Sequence, residues 1–145
     1  MTPKLSPRLA EIVKALPLHE GIRVLEIGCG PGVASREIAN LIGAGHILAI
    51  DRSSKAIQLA TKNSEDEIRS GRLNFRLMSV EEFELEEDEQ LYDIAFAVRV
   101  GALDGRHTEI GQLAFRRIAK ALTNEGRLFI DGGDPLIEVS LDHYR

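Results

Sequence analysis

The stretch Arg23-Val24-Leu25-Glu26-Ile27-Gly28-Cys29-Gly30-Pro31-Gly32 decides how the rest of the chain is read. Its first five residues read as a short buried strand. Gly28, Gly30 and Gly32 then recur at alternate positions. With no Cβ in the way, the backbone there can pass close under a ligand. The helix that follows turns its free N–H groups and positive dipole end toward the same spot. Pro31 stands near that helix start, where a missing N–H costs little. Asp51 lies 19 residues beyond Gly32, after a second strand, His46 to Ile50. An ionised carboxylate is acceptor-only, which suits a pair of ribose hydroxyls.

Outward from this unit, strand and helix patterns alternate along the whole chain. Leu5, Leu9, Ile12, Val13 and Leu16 fall on one helical face, and Pro17 ends it. Ala34, Ile38, Leu41 and Ile42 form the stripe of the next helix, stopped by Gly43 and Gly45. Ser53 is a good N-cap for one helix with a stripe of Ile57, Ala60, Ser64 and Ile68, ended by Gly71. Leu73 to Met78 is a third strand, Tyr92 to Val98 a fourth, and Arg127 to Ile130 a fifth. Ile110, Leu113, Ile118, Ala121 and Leu122 mark the long helix before it. Leu136 to Leu141 forms a sixth strand or a tail.

This order predicts an α/β fold: a doubly wound, mainly parallel sheet of five to six strands with helices on both faces. Ligands of such sheets bind beyond the carboxyl ends of the strands, where the strand order reverses. Residues 28–32, 51, 79–81, 99–101 and 131–134 are therefore the ones to inspect.

Composition supports one domain over residues 1–145, since 43% of the residues are apolar. The net charge of -5 disfavours a nucleic-acid partner. Residues 81–89 hold seven acids, expected as a solvated short helix and loop anchored by Phe83 and Leu85. No run approaches the ~18 apolar residues of a membrane helix. Cys29 is the only cysteine, which suits a reducing compartment, and no signal-peptide pattern opens the chain. A cytoplasmic protein is the expectation.

Val24 to Gly32 resembles the first motif of the class I S-adenosylmethionine-dependent methyltransferases. Ala49-Ile50-Asp51-Arg52-Ser53 is similar to the family's second motif, and Tyr92 to Phe96 to its fourth strand. Ile118 to Ile130 matches the helix and strand that follow. The resemblance implies a Rossmann-like methyltransferase fold, S-adenosylmethionine as cofactor and a small-molecule methyl acceptor. It implies that Gly28, Cys29, Gly30 and Gly32 pass under the methionine part, with Glu26 ordering that loop and placing the amino group. Asp51 then holds the ribose, Arg52 lies beside the adenine, and Ser79 and Val80 face the adenine edge. Arg99 stands near the transferred methyl.

The chain departs from the family at three places. Ser79 stands where an aspartate is frequent. Arg99-Val100-Gly101-Ala102 replaces the signature of the nitrogen and adenine methylators. Fifteen residues follow Ile130, room for one strand and no lid. Candidate catalytic residues are Arg99, which could clamp an acceptor carboxylate or phosphate, and His107, with Asp104 beside it on the same loop. A capping role for Asp104 or Thr108 and a solvated Arg99 are the plainer alternatives. No metal is expected. A cofactor-binding subunit without its own catalysis, working in a partner complex, is the second functional reading. A nicotinamide-linked oxidoreductase is the third, although Val33 occupies a position where that fingerprint needs glycine or alanine. An open sheet edge after strand five would suit a second copy or another chain.

Overall fold

The computed structural model describes residues 4–103 and 108–145. Their strands are β1 (Arg23–Ile27), β2 (His46–Asp51), β3 (Leu73–Leu77), β4 (Tyr92–Ala97), β5 (Leu122–Asp131) and β6 (Leu136–Val139). They lie in one sheet in the order β3-β2-β1-β4-β5-β6. The first five run parallel, and β6 pairs antiparallel with β5. The chain moves outward from β1 to β3 and returns to lay β4 beside β1. The order therefore reverses at the β1/β4 boundary, and a crevice opens there beyond the strand ends.

Alternation along each strand assigns its side chains to two cores. Leu25, Ile27, Leu48, Ile50, Ala95, Ala97 and Leu128 pack on one face with Ala114 and Ile118 of α5 (Thr108–Ala121). Val24, Ile47, Ile94, Phe96 and Phe129 pack on the other. There they meet Val13 of α1 (Pro7–Ala15) and Ala34 and Ile38 of α2 (Val33–Ala39). Ser6 caps α1 by accepting from the Leu9 N–H at 3.1 Å, and Pro7 opens its first turn. The same alternation sends Glu26 toward α1 and α2 and Ile27 toward α5.

Four expectations need correction. The single helix expected from Ser53 to Gly71 is two, α3 (Ser54–Lys62) and α4 (Glu65–Arg69). Ser64 lies at the break, fully buried, and its hydroxyl accepts from the Arg36 guanidinium at 3.0 Å. Residues 136–139 form a strand paired with Leu128–Asp131, so the sheet edge expected at strand five lies at β6 along that stretch. The fifth strand begins earlier, at Leu122, and its pairing with β4 shifts register before Arg127. Leu41 lies beyond the end of α2 and is exposed.

The acidic stretch is more anchored than expected. Phe83 is fully buried and Leu85 packs against the core. Glu89 receives the Tyr92 hydroxyl at 2.5 Å and both terminal nitrogens of Arg76 at 3.2 Å. No helix among the described residues is long and apolar enough to cross a membrane.

Phe96 sits wholly buried in the middle of β4, between β1 and β5. Phe96→Ala should cost about 3–5 kcal/mol through lost burial and a residual cavity. Urea denaturation should show a lower midpoint at unchanged slope. A loss below about 1 kcal/mol would show that the ring is not packed as described.

Candidate functional site

Two cavities open beyond the strand ends. The larger, about 580 Å³, is lined by Ile50, Asp51, Arg52, Met78, Ser79 and Val80 on one side. Val100, Ala102 and Ile110 line its other side. The smaller, about 280 Å³, is lined by Glu26, Cys29, Gly30, Ala34, the α1 cap Ser6 and, from α1, Arg8 and Leu9. Gly28 and Arg99 border both, so the two cavities adjoin at these residues, the waist between them. At Gly28 (φ +75°) an added Cβ would come within 2.7 Å of the Val100 Cγ2 atom. A side chain there would press into the waist.

Asp51 ties the glycine loop to the sheet. Its Oδ2 accepts from the Gly30 N–H at 2.9 Å, and its Oδ1 accepts from the Ser53 N–H at 2.9 Å. The Gly28 and Cys29 N–H groups donate to the Ile50 carbonyl. The loop is thus laced to the end of β2 by backbone and carboxylate together. A carboxylate has about four acceptor positions, and two are used here. One position on each oxygen is left, and Asp51 lines the larger cavity.

Glu26 occupies the smaller cavity and is buried. The Ser35 hydroxyl donates to its Oε1 at 2.6 Å. Burial pushes its pKa up to about 7; the Ser35 hydrogen bond opposes the rise and the nearby Asp51 charge adds to it. Burial also raises the Cys29 thiol well above its ordinary range, helped by Glu26 and Asp51. Cys29 is therefore held as a neutral packing thiol at neutral pH.

Residues 18–142 match the family model described as a methyltransferase domain. The chain belongs to the class I S-adenosylmethionine-dependent methyltransferase family. A probable cobalt-precorrin-6B C(15)-methyltransferase (decarboxylating) of Thermoplasma acidophilum is 29% identical to it over 117 residues, covering 80% of this chain and 53% of that one. The O-methyltransferase rstn1 of Aspergillus nomiae is 31% identical over 135 residues, covering 89% and 56%. The chain thus spans about half the length of the curated relatives it matches. Among solved structures, the [4+2]-cyclase SpnF superposes with a TM-score of 0.69 at 25% identity, covering 85% of this chain and 43% of the cyclase. A methyltransferase from Mesorhizobium loti gives 0.67 at 21% identity, over 86% and 52%, and shows the shared fold.

S-adenosylmethionine is this methyltransferase family's cofactor. The fold brings Glu26, Gly28, Cys29 and Gly30 to the smaller cavity, and Asp51, Arg52, Ser79 and Val80 to the larger. Gly32 borders neither; an added Cβ there would lie 2.9 Å from the Phe75 ring and 3.0 Å from the Ala60 methyl. Its glycine lets α2 start tight against α3 and β3. Arg99 is exposed, with its backbone N–H bonded to Asp131 at 3.0 Å. His107 and Asp104 lie outside the described residues.

Several site residues escaped the motif reading. Ser35, in the first turn of α2, lines neither cavity but holds Glu26, and its place there follows from the α2 packing. Arg8 and Leu9 arrive with α1, and Ile110 with α5. Ile110, on the apolar stripe of the long helix, is exposed and lines the larger cavity.

The raised Glu26 pKa links to stability. Between its ordinary value of 4.5 and about 7 the folded state holds a proton the unfolded state releases. The favourable contribution is therefore full below pH 4.5 and lost as pH rises through about 7. Glu26→Gln keeps an acceptor for Ser35 and carries no charge. Its stability relative to the unmodified protein should rise between pH 5 and pH 8, by an amount on the order of 3 kcal/mol. Thermal unfolding of both proteins at the two pH values checks this; an unchanged difference would show that Glu26 ionises normally.

Proposed function

We propose that this chain binds S-adenosylmethionine across both cavities and transfers its methyl group to a small-molecule acceptor. The observation that carries the reading is a pair of acidic groups, one lining each of two adjoining cavities. Asp51 offers two unused acceptor positions to a diol at the larger end. Glu26 offers a buried acid to an ammonium group at the smaller end, where a bound cation would favour its ionised form. The waist at Gly28 needs a residue without a side chain. These features fit a ligand with a nucleoside at one end and an amino acid at the other.

In this reading Ser79 and the Val80 N–H face the adenine edge, and Arg52 lies over its solvent side. When bound, S-adenosylmethionine supplies a methyl group already activated on a sulfonium. The chain's contribution is then to align and to exclude water. Val100, Ala102 and Ile110 present an apolar wall beside the waist, on which an acceptor can seat. The relatives named above methylate at carbon in one case and oxygen in the other. The acceptor atom is accordingly left open in this proposal. Cys29, single and buried, supports a reducing compartment such as the cytoplasm.

One observation favours a second reading, cofactor binding without methyl transfer. The cyclase SpnF shares this fold under a name that is not a methyltransferase's.

Calorimetric titration with S-adenosylhomocysteine tests the binding half. The unmodified protein should bind it, and Asp51→Ala should weaken binding roughly ten- to hundredfold through loss of two charge-assisted hydrogen bonds. NAD should not compete. Absence of binding would overturn the proposal. Transfer of a labelled methyl group to small molecules of a cell extract then separates the two readings, since a pure binder transfers none.

A further inference from the structure

Asp131 ends β5, in neither cavity's lining. Ala97 of β4 stands opposite Ile130, so one further step in parallel register sets Asp131 level with Val98, within reach of Arg99. Pairing of Asp131 with Leu136 fixes it from the β6 side. Its carboxylate then makes two contacts. Oδ1 accepts from the Arg99 backbone N–H at 3.0 Å. Oδ2 lies 3.8 Å from the Arg8 guanidinium on α1. The second contact is long and half-exposed, so the charge-assisted hydrogen bond to Arg99 is the stronger of the two.

Arg99 needs that hold. Its φ is 59°, in the left-handed region. A residue with a Cβ adopts that conformation only when its surroundings impose it. It is also a residue that borders both cavities, at the waist where the nucleoside and amino-acid ends of the crevice meet. Arg8 lines the smaller cavity from above.

We propose that Asp131 is a positioning residue for the reaction, clamping the left-handed Arg99 and the first helix to one carboxylate so that the waist and the smaller cavity keep their shape. This rests on the reading of the crevice as the S-adenosylmethionine site. Asp131 acts through Arg99 and Arg8 and touches no ligand itself.

The test compares Asp131→Ala, Asp131→Asn and Arg8→Met by calorimetric titration with two probes, S-adenosylhomocysteine and adenosine. Adenosine reaches only the larger cavity, and S-adenosylhomocysteine spans both. Asp131→Ala should weaken S-adenosylhomocysteine about tenfold and leave adenosine within about twofold. Asp131→Asn keeps an oxygen for the Arg99 N–H and should lose less. Adding Arg8→Met to Asp131→Asn should cause no further loss, because both remove the same ion pair. Equal losses for the two probes, or none for S-adenosylhomocysteine, would overturn the proposal. Should Asp131→Ala fail to fold, the Asp131→Asn and Arg8→Met comparison carries the same split.

A ligand-free arm keeps the clamp separate from the site reading. Amide hydrogen exchange at residues 99–101 and in α1 should speed up in Asp131→Asn and further in Asp131→Ala. Faster exchange in a protein that binds neither probe would reject the site reading and uphold the clamp. Unchanged exchange would reject the clamp.

Discussion

The Asp51 carboxylate bridges the Gly30 and Ser53 N–H groups, and the geometry of the crevice depends on that bridge. It joins the glycine loop after β1 to the turn after β2, the two segments that carry the larger cavity's floor. A glycine loop alone has many conformations and little to choose between them. An ionised acceptor between two backbone donors selects one and leaves lone pairs spare for a ligand. The same carboxylate is thus a structural tie and, in the proposed function, a recognition group. This economy explains why an acid is needed at that position even before a ligand arrives.

Charge then divides the crevice. Asp51 accepts from two backbone N–H donors, whereas Glu26 is buried with a single hydroxyl donor and its pKa is pushed up to about 7. Two carboxylates in one small space would repel if both were charged. Neutralising the buried one relieves that repulsion in the free protein. A cationic group entering the smaller cavity would reverse the balance, so binding there is coupled to proton release. Arg99, with its left-handed backbone, lines both cavities.

What the sequence disclosed follows from what is local in it. The spacing of Gly28, Gly30 and Gly32, and of Asp51 after them, is set by one strand–turn–helix–strand unit, so three residues that line the cavities, Gly28, Gly30 and Asp51, were readable without a fold, whereas Gly32 packs against Phe75 and Ala60. The doubly wound, mainly parallel sheet was readable because the elements alternate. Ser35, Arg8, Met78 and Ile110 were not, since each reaches the site only after a helix or a strand end has packed. The break at Ser64 was hidden for a related reason: its place in the apolar stripe was read correctly as buried. The donor that satisfies it, Arg36, comes from another helix. Leu136 to Val139 was ambiguous because a short edge strand differs from a tail only in having a partner.

The central claim is that Asp51 keeps its hold on the glycine loop while taking the ribose with its remaining lone pairs. A crystal structure of the protein with S-adenosylhomocysteine tests it most directly. The account predicts both ribose hydroxyls within hydrogen-bond distance of the Asp51 carboxylate, with its bonds to the Gly30 and Ser53 N–H groups retained. A ligand bound elsewhere, or a ribose held only after Asp51 has let go of Gly30, would contradict it.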